Sequence, residues 1–162
     1  MILGHVLHHA YVTSDIDEAC RVMARRFGAH QFYRPDVQHM TLDDGRKMTL
    51  HNAHAFIGPI WLEIIQPIAG DVAIYRDWLP AAGGFAMRFH HTGVQIPSED
   101  ELKAKLAEAE ASAFPVILSI NVAGNKVRYI DTAKALGHYI EYLYFPDPAT
   151  SPVPRIPQNM PL

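Results

Sequence analysis

The chain has 162 residues, of which 49% are hydrophobic and 19% are charged, and its formal net charge is −3. This composition supports a packed core and argues against intrinsic disorder, and the length fits one domain or two small modules that share a core. Because no basic stripe accompanies the mildly negative charge, we expect no nucleic-acid partner. Ten histidines are many for this length and favour metal or acid–base chemistry.

The sequence shows no export or membrane signal. No apolar run approaches the length of a membrane span, and the start Met1–His5 lacks a basic region followed by a long apolar segment. The single cysteine, Cys20, cannot form an internal disulfide and is expected to be a small buried hydrophobic residue. We therefore expect a cytoplasmic protein with no membrane contact.

The first residues predict a strand followed by a helix. Residues 5–13 alternate as a half-buried strand does, and Asp15 and Glu18 have the spacing of a helix capping box. Gly28 is a suitable left-handed helix end. Between cap and glycine runs an apolar stripe at helical spacing, formed by Ile16, Ala19, Cys20, Met23 and Phe27.

Three strands are predicted next. Residues 30–57 should form two strands joined near the turn signature Asp43–Gly45, and Gly58–Pro59 ends this run. Ile60–Gln66 is the third strand. The chain up to this point is therefore one strand, one helix and three strands.

The same order of elements recurs after a linker. Residues 71–79 predict a short helix, and 80–84, rich in Pro, Ala and Gly, a linker. A strand over 88–96 then leads into a helix for which Ser98 and Glu101 form a capping box. Three more strands are predicted over 116–122, 126–131 and 138–145.

Two tandem βαβββ units are an internal repeat, and each unit alone would leave one face of its sheet bare. The two sheets must therefore cup a shared cavity or pack on each other. The tail holds several prolines and is expected to be extended, either wrapping a neighbouring subunit or loose. The predicted boundaries are 1–70 for the first module, 71–87 for the helix and linker, 88–145 for the second module and 146–162 for the tail.

A histidine and a glutamate occupy matching places in the two units. Glu63 follows His8 by 55 residues, and Glu141 follows His91 by 50. Both glutamates lie in otherwise apolar strands, where a carboxylate is costly unless its charge is compensated. One divalent metal ion would compensate both, and two imidazoles with two carboxylates suit Zn, Ni, Co, Mn or Fe(II) without choosing among them. The repeat thus indicates two halves of one metal site.

The first histidine of this site has two candidates. Counting back from the helix caps selects His8, because Asp15 follows it by seven residues as Ser98 follows His91. Matching the two histidine doublets directly selects His9 instead. We prefer His8, because a helix start fixes the register better than a doublet does.

Strand alternation predicts which side chains share a face around the first glutamate. Trp61, Glu63 and Ile65 should face one way, and Leu62 and Ile64 the other. Each of the metal-ligand candidates taken alone also has a purely structural explanation, as an edge carboxylate or a hydrogen-bonded histidine.

Four short segments in the right order carry a resemblance to a known superfamily. They are His8–Asp17, Leu62–Pro67, Phe89–Val94 and Gly137–Tyr142. With them the chain resembles the vicinal oxygen chelate superfamily over about residues 5–145; this superfamily includes glyoxalase I, methylmalonyl-CoA epimerase, bleomycin-resistance proteins and extradiol dioxygenases. The stretch from Glu63 onward looks most like the epimerase and glyoxalase-like branch.

The resemblance implies an α+β fold in which the two βαβββ modules form a cupped, barrel-like mixed sheet around a metal, in a homodimer. The metal would be held by His8, Glu63, His91 and Glu141, with two positions open to neighbouring oxygens of a small-molecule substrate. It would stabilise an enolate formed by proton abstraction, with Glu63 or Glu141 as the base. The implied enzyme is an isomerase, epimerase or lyase for a small 2-oxo, hemithioacetal or acyl-thioester substrate.

The chain departs from the epimerase pattern in one respect. Epimerases of this group look to use a carboxylate on the strands of the first module, yet residues 31–60 contain no glutamate and their aspartates lie in predicted turns. His51 and His54 occupy that strand instead, one on each face. Either is a candidate acid–base group, which needs reach to the substrate proton and a pKa near neutrality.

Two other functions of the same fold compete with this hypothesis. A non-haem Fe(II) dioxygenase uses a facial triad of two histidines and one carboxylate, so a fourth ligand counts against it. A metal-free small-molecule binding or resistance protein resembles the chain in fold but usually lacks the ligands.

Overall fold

The computed structural model describes residues 4–81, 83–122 and 124–159. The first module has the predicted order of one strand, one helix and three strands. Its elements are β1 (His5–Thr13), α1 (Ile16–Phe27), β2 (Gln38–Thr41), β3 (Lys47–Ile57) and β4 (Ile60–Gly70).

The second module repeats this order after the short helix α2 (Ala73–Arg76). It comprises β5 (Met87–Gln95), α3 (Glu99–Ala111), β6 (Val116–Val122), β7 (Asn125–Ile130), a short helix α4 (Ala133–Leu136) and β8 (Tyr139–Tyr144). The two βαβββ units predicted from the sequence are therefore present.

The strands of the first module lie in the order β2-β3-β4-β1, and those of the second in the order β5-β8-β7-β6. In the first module β1 pairs in parallel with β4, and in the second β5 pairs in parallel with β8. The remaining pairs within each module are antiparallel hairpin pairs. In each module the first strand thus lies beside the last, which brings the histidine-bearing strand next to the glutamate-bearing one.

Helix α1 begins and ends where the sequence predicts. The Asp15 side chain accepts a hydrogen bond of 2.9 Å from the backbone N–H of Glu18, and Gly28 ends the helix with φ 74, in the left-handed region. Gln66 of β4 adds a second tie, because its Oε1 accepts from the backbone N–H of Ile16 at 3.0 Å. These contacts fix where the helix starts relative to the sheet.

The inner face of α1 packs on the sheet face that carries Leu62 and Ile64. Leu62 and Ile64 of β4 are buried in one cluster with residues of the helix and of β3, namely Ile16, Ala19, Met23, Ala29, Ala53 and Ala55. Cys20 is half-buried against this cluster, and burial raises the pKa of its thiol. Phe27, which the sequence pattern placed in the apolar stripe, is 55% exposed, because it lies in the last turn beyond the sheet contact.

We expect Asp15→Ala to lower the free energy of unfolding by about 1 kcal/mol, since it removes the capping acceptor of α1. Urea denaturation measures this change. Asp17→Ala is the matched control: this carboxylate, two residues on, makes an exposed ion pair with Arg34, and such pairs contribute little, so its loss should cost at most about 0.5 kcal/mol. Equal losses in the two variants would contradict the capping assignment.

Helix α3 of the second module is built in the same way. Ser98 Oγ accepts a hydrogen bond of 3.1 Å from the backbone N–H of Glu101, as the predicted capping box requires. Its buried side packs on the second module's strands in a cluster of Val94, Ile96, Leu102, Ala109, Ile130, Ile140 and Tyr142. Burial in this cluster raises the pKa of the Tyr142 phenol to about 12.

The structure differs from the prediction mainly between the strands. The helix predicted over 71–79 is limited to Ala73–Arg76, and single turn-type hydrogen bonds continue it to Leu79. The break predicted before the last strand contains the helix Ala133–Leu136. Such short turns lack the periodic pattern that identifies longer helices.

The C-terminal segment folds back on its own chain, so a loose tail is wrong for the part of it that the structure describes. It makes 3-10 turns at Pro148–Thr150 and Val153–Arg155 and ends in β9 (Gln158–Asn159), which pairs in parallel with β3. The buried Asn159 side chain holds it there. Its Oδ1 accepts from the backbone N–H groups of His30 and Gln31, both at 2.9 Å, and its Nδ2 donates to the backbone oxygens of Gln31 and Phe56.

The chain divides into two compact units. One contains 8–41, 46–90 and the described part of Pro152–Leu162; the other contains 42–45, 91–151 and the described part of Met1–Leu7. Among the residues described, no helix combines the length and apolar character that crossing a membrane requires.

Candidate metal centre

The first unit contains a buried histidine–glutamate pair on adjacent parallel strands. His8 of β1 lies opposite Trp61 of β4, two residues before Glu63. His8 Nε2 is 3.2 Å from Glu63 Oε2, and the two side chains are 2% and 11% exposed. The ring of Trp61 packs against that of His8 with centroids 4.8 Å apart.

The other carboxylate oxygen of Glu63 faces β3. Asn52 Nδ2 donates to Glu63 Oε1 at 3.1 Å, and His54 Nδ1 lies 3.9 Å from the same oxygen. The indole N–H of Trp61 donates to His54 Nδ1 at 3.3 Å. The ring of Tyr33 stacks on His54 with centroids 6.0 Å apart. Glu63 is therefore surrounded by polar groups from β1, β3 and β4.

The second unit contains an equivalent pair. His91 of β5 lies opposite Tyr139 of β8, two residues before Glu141. His91 Nε2 is 3.3 Å from Glu141 Oε2, with side chains 0% and 7% exposed. The ring of Tyr129, on β7, meets that of His91 edge-on with centroids 5.0 Å apart. The strand register and contacting atoms match those of the first pair.

Each pair offers an imidazole nitrogen and a carboxylate oxygen to a metal ion, His8 with Glu63 in the first unit and His91 with Glu141 in the second. Two imidazole nitrogens and two carboxylate oxygens are the donors that Zn and other divalent first-row metals take in proteins. The donor set therefore fits a divalent ion without selecting one.

The remaining predicted site residues fall in different places. His54 is buried on the same face as Glu63, its direct partner across the hairpin. His51 lies on the opposite face of β3, the face from which Ala53 packs toward α1. His9, the alternative first ligand, contacts the ring of Phe89 at 5.8 Å. The histidine that the structure brings against Glu63 is His8.

Asn52 is a site residue that the sequence analysis missed. It lies two residues before His54 on β3, so strand alternation alone puts it on the face of His54 and Glu63. An asparagine inside a strand is itself a signal, because a buried amide needs a hydrogen-bond partner.

No protein-family model and no curated protein matches the chain. Solved structures do match it, and they have the vicinal oxygen chelate fold. The chain therefore has this fold, and the predicted α+β fold class of two tandem βαβββ modules is confirmed.

The matching structures include methylmalonyl-CoA epimerases. A Streptomyces coelicolor methylmalonyl-CoA epimerase variant in complex with 2-nitronate-propionyl-CoA matches with a TM-score of 0.57 and 14% identity, over 90% of this chain and 99% of that one. The Mycobacterium tuberculosis methylmalonyl-CoA epimerase has a TM-score of 0.53 at 14% identity, over 91% of both chains. A hypothetical protein from Bacillus halodurans has a TM-score of 0.53 at 16% identity, over 90% of this chain and 97% of that one.

Proposed function

We propose that the chain is a metal-dependent isomerase, epimerase or lyase that acts through an enolate. The observation that carries the proposal is the repetition of one buried histidine–glutamate pair at the same strand register in both modules. A structural ion pair in one module needs no counterpart in the other, whereas a four-ligand metal centre needs both pairs.

The proposed ligands are His8, Glu63, His91 and Glu141, and the proposed cofactor is one divalent ion, Zn, Ni, Co, Mn or Fe. When bound, the ion would act as a Lewis acid toward neighbouring substrate oxygens and so favour an enolate. Buried carboxylates near it, with little water around them, are suited to take up a substrate proton. Glu141 and Glu63 are the candidate bases.

His54 is the better acid–base candidate of the two strand histidines, because it shares a face with Glu63 and His51 does not. Since Trp61 donates to Nδ1 of His54, the neutral imidazole carries its proton on Nε2. His54 would therefore approach a substrate as a hydrogen-bond donor through Nε2.

The proposed substrate is a small 2-oxo, hemithioacetal or acyl-thioester compound that presents two neighbouring oxygens. The acyl-thioester class has support from the matching structures, several of which are epimerases in complex with acyl-CoA compounds. A homodimer is part of the proposal, as the family resemblance implies.

The test combines metal content with proton exchange. Elemental mass spectrometry of the purified protein should find one divalent ion per chain. In D₂O, proton NMR should then show exchange of the α-hydrogen of an acyl-thioester or 2-oxo substrate, and this exchange should stop when a chelator removes the ion. Absence of metal even after incubation with Ni, Co, Zn and Fe(II) would disprove the proposal.

A further inference from the structure

We propose that Asn52 is a positioning residue that orients the Glu63 carboxylate and reserves one of its oxygens for the metal. This inference rests on the proposed metal centre, and it assigns a role to a side chain that the ligand set does not include. It concerns the chain's own hydrogen bonds around Glu63.

The geometry around Glu63 separates its two oxygens. Oε2 lies 3.2 Å from Nε2 of His8, whereas Oε1 receives the Asn52 Nδ2 hydrogen bond at 3.1 Å. Asn52 comes from β3, where it pairs with Ile65, so it reaches Glu63 diagonally across the hairpin. One oxygen is thus held from β3, and the other is turned toward β1.

The orientation of the Asn52 amide follows from chemistry. If its Oδ1 faced Glu63, two acceptor oxygens would meet with no hydrogen between them, so the NH₂ group must face the carboxylate. Within the described residues Asn52 Oδ1 has no hydrogen-bond partner, although Asn52 is only 7% exposed. A buried amide with an unsatisfied oxygen is unfavourable for folding, which points to a role at the site rather than in stability.

The second module has no such donor at the matching place. The β7 residue that pairs with Glu141 is Tyr129, and the residue two positions before it is Val127. A valine side chain cannot hydrogen-bond, so this feature of Asn52 belongs to the first module alone. The repeat that makes the two histidine–glutamate pairs alike therefore does not explain Asn52.

The test is the affinity of Asn52→Leu for Co²⁺, measured by competition with a chromophoric chelator. Leucine has a similar shape without the donor. Because groups that orient metal ligands typically contribute 10- to 100-fold to affinity, we expect binding weaker by about 10- to 100-fold. The visible absorption of bound Co²⁺ should also change, since a released carboxylate can rotate to a different coordination.

Asn121→Leu is the matched control. Asn121 also donates its Nδ2 to a carboxylate, that of Asp43 at 2.8 Å, but it is exposed and does not contact the candidate ligands. We expect its Co²⁺ affinity and spectrum to equal those of the wild type. A second variant, Asn52→Ala, replaces Asn52→Leu if circular dichroism shows that the leucine is not accommodated.

A double-mutant cycle tests whether Asn52 acts through Glu63. In a Glu63→Asp background, which keeps the charged ligand but withdraws its carboxylate from the amide, the Asn52 substitution should weaken Co²⁺ binding by less than about threefold. Wild-type affinity in Asn52→Leu, or a lower melting temperature with unchanged affinity, would overturn the inference and leave the proposed function intact. A wild-type protein that binds no metal would overturn both.

Discussion

Glu141→Gln is expected to yield a folded protein that retains little or no metal. The substitution replaces a charged ligand by a neutral amide of the same size, so the divalent ion loses both a donor and a compensating charge. Changes to residues that only hydrogen-bond to a metal ligand lower metal affinity by up to roughly 100-fold. Because Glu141 is itself a proposed ligand, we expect a larger loss of affinity. Metal content after dialysis, measured by elemental mass spectrometry, tests this directly.

Glu110→Gln is the control for this prediction. It makes the same chemical change on the exposed side of α3, away from the ligands, and should keep the wild-type metal content. Full metal retention in Glu141→Gln would mean that this carboxylate is not a ligand. If circular dichroism shows that the Glu141→Gln variant is unfolded, the bound metal is tested instead by titrating the wild-type protein with a chelator.

Asn159→Ala should cause the second large effect, a loss of about 2–4 kcal/mol in the free energy of unfolding. One buried side chain makes four hydrogen bonds to three residues, and alanine removes all of them. For a chain of this size the loss corresponds to a melting temperature lower by about 5–15 °C. Differential scanning calorimetry in the presence of a chelator measures it apart from any metal effect.

Gln158→Ala tests the specificity of that effect. Gln158 is the exposed neighbour in β9, and its replacement should change stability by less than about 0.5 kcal/mol. If Asn159→Ala had the same melting temperature as Gln158→Ala and the wild type, the hydrogen bonds of Asn159 would contribute nothing to the stability of the fold.

Much of the fold could be predicted because the sequence repeats its local signals. Asp15 and Ser98 mark the two helix starts. In the structure the side chain of each accepts a hydrogen bond from the backbone N–H three residues later, as a helix cap does. Alternation placed Leu62 and Ile64 on the same face of β4, and in the structure both are buried in one cluster with residues of α1. These signals lie within a few residues of the elements they predict, so they can be interpreted without knowledge of the tertiary structure.

The candidate site could be predicted only in part. The helix-start register selected His8, and the structure places it rather than His9 against Glu63. That choice was possible because the distance from strand to cap is a local property. The contact of Asn52 with Glu63 depends instead on hairpin register, and no turn residue in the sequence determined this register unambiguously.

The tail was the least predictable part. Its prolines indicate an extended chain but not where that chain docks. The docking depends on Asn159, whose backbone partners lie more than a hundred residues earlier in the sequence. A lone asparagine near a terminus carries no pattern from which such a contact can be inferred.

The docking of β9 has a further consequence for solubility. One side of β3 is covered piecewise: by β2 at residues 47–50, by a single bridge from Tyr33 to His54, and by β9 at Phe56 and Ile57. The backbone N–H of Phe56 donates to the oxygen of Pro157. Without β9, the end of β3 would present unpaired backbone groups of the kind that recruit strands from other molecules. β9 thus covers a stretch of sheet edge that would otherwise be open to such pairing.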